Sequence, residues 1–307
     1  IVKVITMAAT FNLHPETIYG DRAFNYGDGC FTTMLCVDKN IQLLSYHFAR
    51  LEHDTKKLHI PFTSEDQQAL SEKLSEISKQ LCSGIIKVHL SRGSGGRGYG
   101  VSGVSGPNIC LTQHPIPAGF SDAVSLSIAA TPISRQPNLA GTKHTSRLEQ
   151  VLFKRSAEQA GTTDIICLDE FQHVIETSSA NLFWYKDGQW YSPELSHSGV
   201  AGTYRACILD TLAAINTPCK VGSFVLAELL EADSLIMCNA VRGIVAVDRL
   251  EMHSGSKVNL HADKLHRTSD IGVNTCVDKA ANDFIAFRNT AVSDLQKQID
   301  LFLTTAT

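Results

Sequence analysis

Long apolar runs are missing from this 307-residue chain. None approaches the roughly 20 residues that a membrane-crossing helix needs, so no membrane partner is expected. A basic excess is missing too. The formal charge of -4 gives no support for nucleic-acid binding, which usually shows a basic stripe, and no nucleic-acid partner is expected. The nine cysteines are odd in number and contain no CxxC pair, which argues against a disulfide frame or a zinc site. Several, such as Cys167 and Cys238, sit in apolar strand-like runs and read as reduced core residues of a cytoplasmic protein. The twelve histidines show no metal-ligand spacing, and no metal is expected. No G-x-S-x-G elbow occurs, so a Ser-His-Asp hydrolase reading fails at its first step. The glycine-rich stretch 91–100 lacks the Lys-Ser or Lys-Thr of a P-loop, and it does not open a helix as a dinucleotide fingerprint would. Residues 1–5 are too short and too quickly polar for a secretory signal, and Met7 is a candidate natural start.

What is present is ordinary globular composition, 43% apolar and 19% charged, in a chain long enough for two packed units or one large one. From Asn40 the pattern starts strand-like and becomes helical, with Leu44, Phe48, Leu51 and Leu58 spaced for one face and Arg50 adjacent to it. A second helix is expected to open on Ser64 as N-cap and to carry a stripe of Leu70, Leu74, Ile77 and Leu81. Residues 86–90 and 108–112 read as strands. Pro115 and Pro117 suit an extended crossing from a unit spanning 1–115 to one spanning 116–250. Beyond it, 124–128 alternates as a strand. A helix follows Lys143, with Leu148, Val151, Leu152 and Arg155 at helical spacing. Hairpins are expected at 165–175 and 182–191, the second around the tight-turn pair Asp187-Gly188. Residues 198–203 lead into a helix over 204–212, and 234–238 reads as a buried strand ending at Asn239.

Lys143 and Glu176 stand among these short strands. A buried lysine can lose its proton and attack a carbonyl, and a carboxylate in the same cleft can hold a ring nitrogen protonated. Pyridoxal phosphate enzymes need that pair. Taken alone, both residues are more often solvated surface charges. Gly199 to Thr203 precede a helix, where free N–H groups and the helix dipole suit a phosphate; a glycine turn capping the helix is the favoured reading at this point. Arg92, Arg97 and Tyr99 either hold substrate carboxylates or are solvated loop residues. Arg50 either reaches inward to a phosphate or projects into solvent. His47, His89 and His144 read as core or surface histidines, not bases.

Taken in order, these residues resemble the fold type IV family of pyridoxal phosphate enzymes, which spans branched-chain and D-amino acid aminotransferases and 4-amino-4-deoxychorismate lyases. The resemblance is carried by residues 26–33, 47–51, Lys143, Glu176 with 179–181, 202–205 and 238–240. Stretches 27–33, 91–99 and 143–150 are similar to the lyase branch; a branched-chain aminotransferase would carry Phe-Glu-Gly where this chain has Phe31-Thr32-Thr33. The resemblance implies an α/β (α+β two-domain) fold, a small N-terminal domain and a larger C-terminal one with pyridoxal 5'-phosphate between them. It also implies a homodimer whose small domain helps close the partner's site. Lys143 is then the Schiff-base lysine and Glu176 the partner of the pyridine nitrogen. Arg50 binds the cofactor phosphate, helped by the backbone at Thr203 and Tyr204 and by Asn239. Thr33 matches a threonine that assists proton transfer, and Arg97 and Tyr99 are candidates for the substrate carboxylate end.

The activity so implied converts 4-amino-4-deoxychorismate to 4-aminobenzoate, a folate precursor, and pyruvate. The substrate forms an aldimine, Lys143 removes the proton from its amine-bearing carbon, and the enolpyruvyl ether leaves as the ring becomes aromatic. A D-amino acid or branched-chain aminotransferase is the alternative. A cofactor-binding protein without catalysis is a third reading, opposed by intact Lys143, Glu176 and Arg50. Residues 251–307 run past the lyase pattern. Ala281, Phe284, Val292, Leu295, Ile299 and Phe302 have roughly helical spacing and suggest a terminal amphipathic helix docked on the body or on another subunit, with a solvated extension as the alternative.

Overall fold

The computed structural model describes residues 2–6, 19–104, 106–117, 123–252, 283–286 and 291–305. Its first part runs β1 (Val2–Thr6), α1 (Arg22–Tyr26), β2 (Gly29–Val37), β3 (Asn40–Ile41), α2 (Leu44–Lys57), α3 (Ser64–Leu81), β4 (Gly84–Ser91) and β5 (Asn108–His114). The five strands form one sheet in the order β1-β5-β4-β2-β3. Burial alternates along β2: Cys30, Thr32, Met34 and Cys36 are buried, while Phe31 and Thr33 on the opposite face are half-buried. Leu51, Leu70, Leu74 and Ile77 from α2 and α3 complete the core beneath the buried face, as their helical spacing predicts. The start of α3 lies one residue from its expected place. Thr63, extended at φ -79°, is the N-cap; its hydroxyl accepts from Asp66 N–H (3.2 Å) and the Asp66 carboxylate accepts from Thr63 N–H (2.9 Å).

The second part continues with β6 (Ala123–Ile128), α4 (Leu148–Ala160), β7 (Asp164–Leu168), β8 (Val174–Thr177), β9 (Asn181–Lys186) and β10 (Gln189–Pro193). Then come α5 (Thr203–Ala214), β11 (Lys220–Gly222), α6 (Leu226–Leu229), β12 (Ser234–Asn239), β13 (Gly243–Met252), β14 (Asp283–Ala286) and α7 (Val292–Thr305). These nine strands form a second sheet, in the order β11-β10-β9-β12-β13-β6-β7-β8, with β14 also paired to β13. The β9–β10 hairpin turns on Asp187 and Gly188, both at positive φ (49° and 80°), which matches the right-handed strand twist. Trp184 of β9 anchors one face of the sheet, stacked on Tyr191 at 5.9 Å and edge-on to Phe224 at 5.1 Å.

One expectation is borne out and one is corrected. Helix α4 forms where the spacing after Lys143 predicts it; Leu148, Val151 and Leu152 are exposed on it, and Phe153 and Ala157 seat it against β7. Those two residues are four apart and share a face, so helical period alone did not say which apolar face meets the sheet. In the tail, Phe284 belongs to strand β14, and the helix begins at Val292. That helix docks on the body, with Leu295 and Ile299 buried in one cluster with Cys207, Ile208 and Leu212 of α5. Ala281 and Met7 lie outside the described residues. Among the described residues, every cysteine is free, no His/Cys/Asp/Glu group is placed to hold a metal, and no helix is long and apolar enough to cross a membrane.

Candidate active site

Lys143 sits on a seam between the two sheets. On one side, Gly141 N–H donates to Gly199 O and Ala201 N–H to Gly141 O, both at 2.9 Å. On the other, Phe31 N–H donates to Lys143 O (3.0 Å) and Thr145 N–H to Gly29 O (2.9 Å). The Lys143 amide donates to Asp54 Oδ2 at 2.9 Å. The Arg147 guanidinium donates to the carbonyls of His144 (2.7 Å) and Thr142 (3.0 Å). The backbone is therefore held at and around the lysine, and its Nζ lies 4.8 Å over the Phe31 ring. Burial above all, then Arg50 and Arg147, push the Lys143 ammonium down to about 7, with Glu176 pulling the other way. A lysine so placed offers a neutral amine near physiological pH.

Glu176 leaves β8 almost fully buried, and its Oε2 accepts from Val200 N–H at 2.9 Å. Burial pushes its carboxyl up to about 7 against that bond and the pull of Arg147 and Lys143. The preceding Gly199 is at φ +79°, and a Cβ there would lie 2.8 Å from Leu195 Cδ2 and 2.9 Å from Ile175 Cγ2. Only glycine lets the chain turn close enough to present Val200 to the carboxylate.

Arg50 is buried on α2 and donates through Nη2 to Thr32 Oγ1, which also pairs with His47 Nδ1 at 2.6 Å. Its Nε has no hydrogen-bond partner. Burial pushes Arg50 down to about 10, and Asp54 opposes this. Burial and Arg50 together hold His47 well below the usual histidine range, which makes it a neutral core residue. Helix α5 opens opposite. Gly202 is its N-cap and supplies no side-chain cap, and the buried Thr203 Oγ1 is without a partner. A Cβ on Gly202 would collide with Asn181 Oδ1, which accepts Gly202 N–H at 3.1 Å. The 199–203 stretch is thus a tight glycine turn whose helix start brings the unpartnered Thr203 hydroxyl to the cavity.

These residues converge on one cavity of about 810 Å3, a volume that suits a cofactor with its substrate. Lys143, Thr33, Glu176, Arg50, Thr203 and Asn239 all line it. The side-chain oxygen of Asn239 is engaged by the N–H groups of Val241 (3.0 Å) and Arg242 (2.9 Å), so it shapes the turn after β12. Tyr204 does not line the cavity; its hydroxyl lies beside Gly243, and burial raises it to about 12. Only its backbone belongs to the first turn of α5. Arg97 and Tyr99 also lie outside the cavity walls. Tyr99 is 87% exposed, with its ring 5.5 Å from that of Tyr26. Arg92 is spent within the chain, on Asp28 (2.8 and 3.0 Å) and on the carbonyls of Leu58 and His59.

Several site residues escaped the sequence reading. Asp54 follows Arg50 by four residues on a helix, a spacing that could have flagged it. Arg147 lies inside the 143–150 stretch, where nothing distinguished it from a surface arginine. Asp164 accepts the hydroxyls of Thr177 (2.9 Å), Ser178 (2.5 Å) and Ser179 (2.7 Å) and fixes a cavity wall, a long-range role with no local signature. Lys87 pairs in register with Thr33, and its Nζ lies 4.5 Å over Phe31.

A buried lysine near neutrality, a buried carboxyl and a helix start with an unpartnered buried hydroxyl therefore share one cavity between the two sheets. The chain belongs to the amino-transferase class IV family, which it matches over residues 29–250. The aminodeoxychorismate lyase of Vibrio harveyi is 38% identical over 260 residues, covering 83% of this chain and 95% of that protein. The solved 4-amino-4-deoxychorismate lyase of Pseudomonas aeruginosa superposes with a TM-score of 0.72 at 35% identity, over 80% of this chain and 89% of that one. The Escherichia coli branched-chain amino acid aminotransferase shares the fold, with a TM-score of 0.68 at 20% identity over 81% and 83%.

Proposed function

We propose that the cavity holds pyridoxal 5'-phosphate and that the chain is a lyase converting 4-amino-4-deoxychorismate to 4-aminobenzoate and pyruvate. One observation carries the cofactor assignment: Arg50 Nε and Thr203 Oγ1, both buried and unpartnered, line the same cavity as the low-pKa Lys143. Orphaned buried donors are costly unless a ligand satisfies them, and a phosphate would do so. Arg50, Thr203 and the first-turn N–H groups of α5 would hold the phosphate, Glu176 the ring nitrogen, and Lys143 the aldehyde carbon.

When bound, the cofactor supplies an electron-accepting ring conjugated to the substrate's amine. Lys143, a neutral amine once displaced, takes the proton from the amine-bearing carbon. Glu176 is suited to share a proton with the ring nitrogen, because its burial disfavours a bare carboxylate. Thr33 shares its half-buried face of β2 with Phe31 and lines the same cavity as Lys143; its hydroxyl would relay the proton taken by Lys143 to the departing enolpyruvyl oxygen, receiving one as it gives one. The lyase assignment over transamination is supported by the Vibrio harveyi relative at 38% identity, against 22–25% for aminotransferase relatives.

The chain acts as a homodimer. Leu148, Val151, Leu152 and Tyr99 are exposed, Val151 lies on the cavity wall, and the loop with Arg97 and Tyr99 reaches no part of its own cavity. A second copy would cover the apolar stripe and receive that loop. The free thiols suit a cytoplasmic setting. Loading the protein with pyridoxal phosphate should give a visible-edge absorbance band that borohydride fixes onto Lys143, together with pyruvate release from aminodeoxychorismate. A band with keto acid from D- or branched-chain amino acids, and no pyruvate, would assign an aminotransferase. No band would remove the cofactor.

A further inference from the structure

We propose that Asp54 is a positioning residue that keeps Lys143 in register with the anion grip at Arg50; this rests on the reading of those two residues as cofactor ligands. Asp54 lies one turn beyond Arg50 on α2 and is fully buried. Its Oδ2 accepts the Lys143 amide at 2.9 Å across 89 residues of chain, and its Oδ1 pairs with His53 Nδ1 at 3.0 Å. Arg50 is fixed in turn by Thr32, and Thr32 by His47. One helical turn and one hydrogen bond therefore connect the group that would grip the phosphate to the group that would hold the aldehyde carbon. A second bond from α2, Lys57 Nζ to Ala140 O at 2.6 Å, meets the seam three residues upstream. Lys143 is also held through its carbonyl by Phe31 N–H at 3.0 Å, so what Asp54 adds is the hold on its amide and the link to α2. Arg50 and Arg147 both lie in the field of the Asp54 carboxylate, which is how a buried charge is tolerated here.

A register device has a signature that general loosening of the fold lacks. Phosphate anchoring should speed aldehyde capture by Lys143 only while grip and amine are held at a fixed spacing. The readout is the ratio of borohydride-trapped capture rates for pyridoxal phosphate and for pyridoxal, measured on full-length cofactor-free protein. Because both rates come from the same sample, the ratio is insensitive to the fraction folded. Asp54→Ala should lower it on the order of 10-fold or more. Asp54→Asn keeps an acceptor for the Lys143 amide and should hold the ratio within about 3-fold of wild type. Asp54→Ser, whose hydroxyl is too short to reach the amide, carries the test if the alanine variant does not fold. An unchanged ratio in the alanine or serine variant overturns the proposal, as does an asparagine variant as impaired as they are. If the wild-type protein itself shows no preference for the phosphorylated aldehyde, the cofactor reading is what has failed.

Discussion

Replacing Glu176 by Gln should make the cofactor-free protein more stable while crippling the loaded enzyme. The carboxyl is almost fully buried, and its value in the folded chain is about 7 against an ordinary 4.5. A raised carboxyl means that the folded state binds more protons than the unfolded state between those values. Its contribution is therefore most favourable below about pH 4.5 and is lost as pH rises to about 7. The loss at pH 8 is about 3 kcal/mol, from 1.36 kcal/mol for each tenfold change in proton affinity. Glutamine keeps an oxygen to accept Val200 N–H and cannot ionise, so it escapes the penalty. Urea unfolding of both cofactor-free proteins should show the variant ahead by a few kcal/mol at pH 8 and nearly level at pH 5. The loaded variant should lose roughly 100-fold or more in kcat, the scale of a lost acid–base partner. Equal stability at pH 8, or an advantage that grows toward acid, would refute the claim that burial of Glu176 strains the empty site.

Three further outcomes follow from the same geometry. Trapping of pyridoxal by the cofactor-free protein should level off near pH 8, because burial, Arg50 and Arg147 hold Lys143 at about 7; a rate still climbing through pH 10 would mean an ordinary lysine. Arg50→Met should weaken pyridoxamine phosphate binding by about 1.5–3 kcal/mol and Thr203→Val by about 0.5–1.5 kcal/mol, read by calorimetry, with little effect on pyridoxamine. Gly202→Ala should cost about 1–3 kcal/mol in urea unfolding, since the new methyl meets Asn181 Oδ1, and unaltered stability would show that the loop can yield.

How much of this was legible in the chain depended on how local each signal is. The α2 and α3 stripes and the β9–β10 turn are written in residues three, four or two apart, and the structure carries them as read. The outward stripe of α4 was not legible, because period tells which residues share a face and says nothing of what the face meets. Leu148, Val151 and Leu152 are apolar and exposed, and Val151 lies on the cavity wall. The site divides the same way. Lys143 and Glu176 could be singled out by residue type within a recognisable order of motifs, but their chemistry comes from groups far away in sequence. Val200 holds Glu176, Asp54 holds the Lys143 amide, and Arg50 depresses the lysine from another unit of the fold. Arg97 and Tyr99 show the converse: a charged, aromatic loop is easy to notice, yet its own cavity lies elsewhere. A lysine on the surface titrates near 10.5, and this one is brought to about 7 by being walled in beside two arginines. Its depressed value is a property of the packing between two sheets, which is why a single hydrogen bond from the Lys143 amide to the Asp54 carboxylate can matter to it.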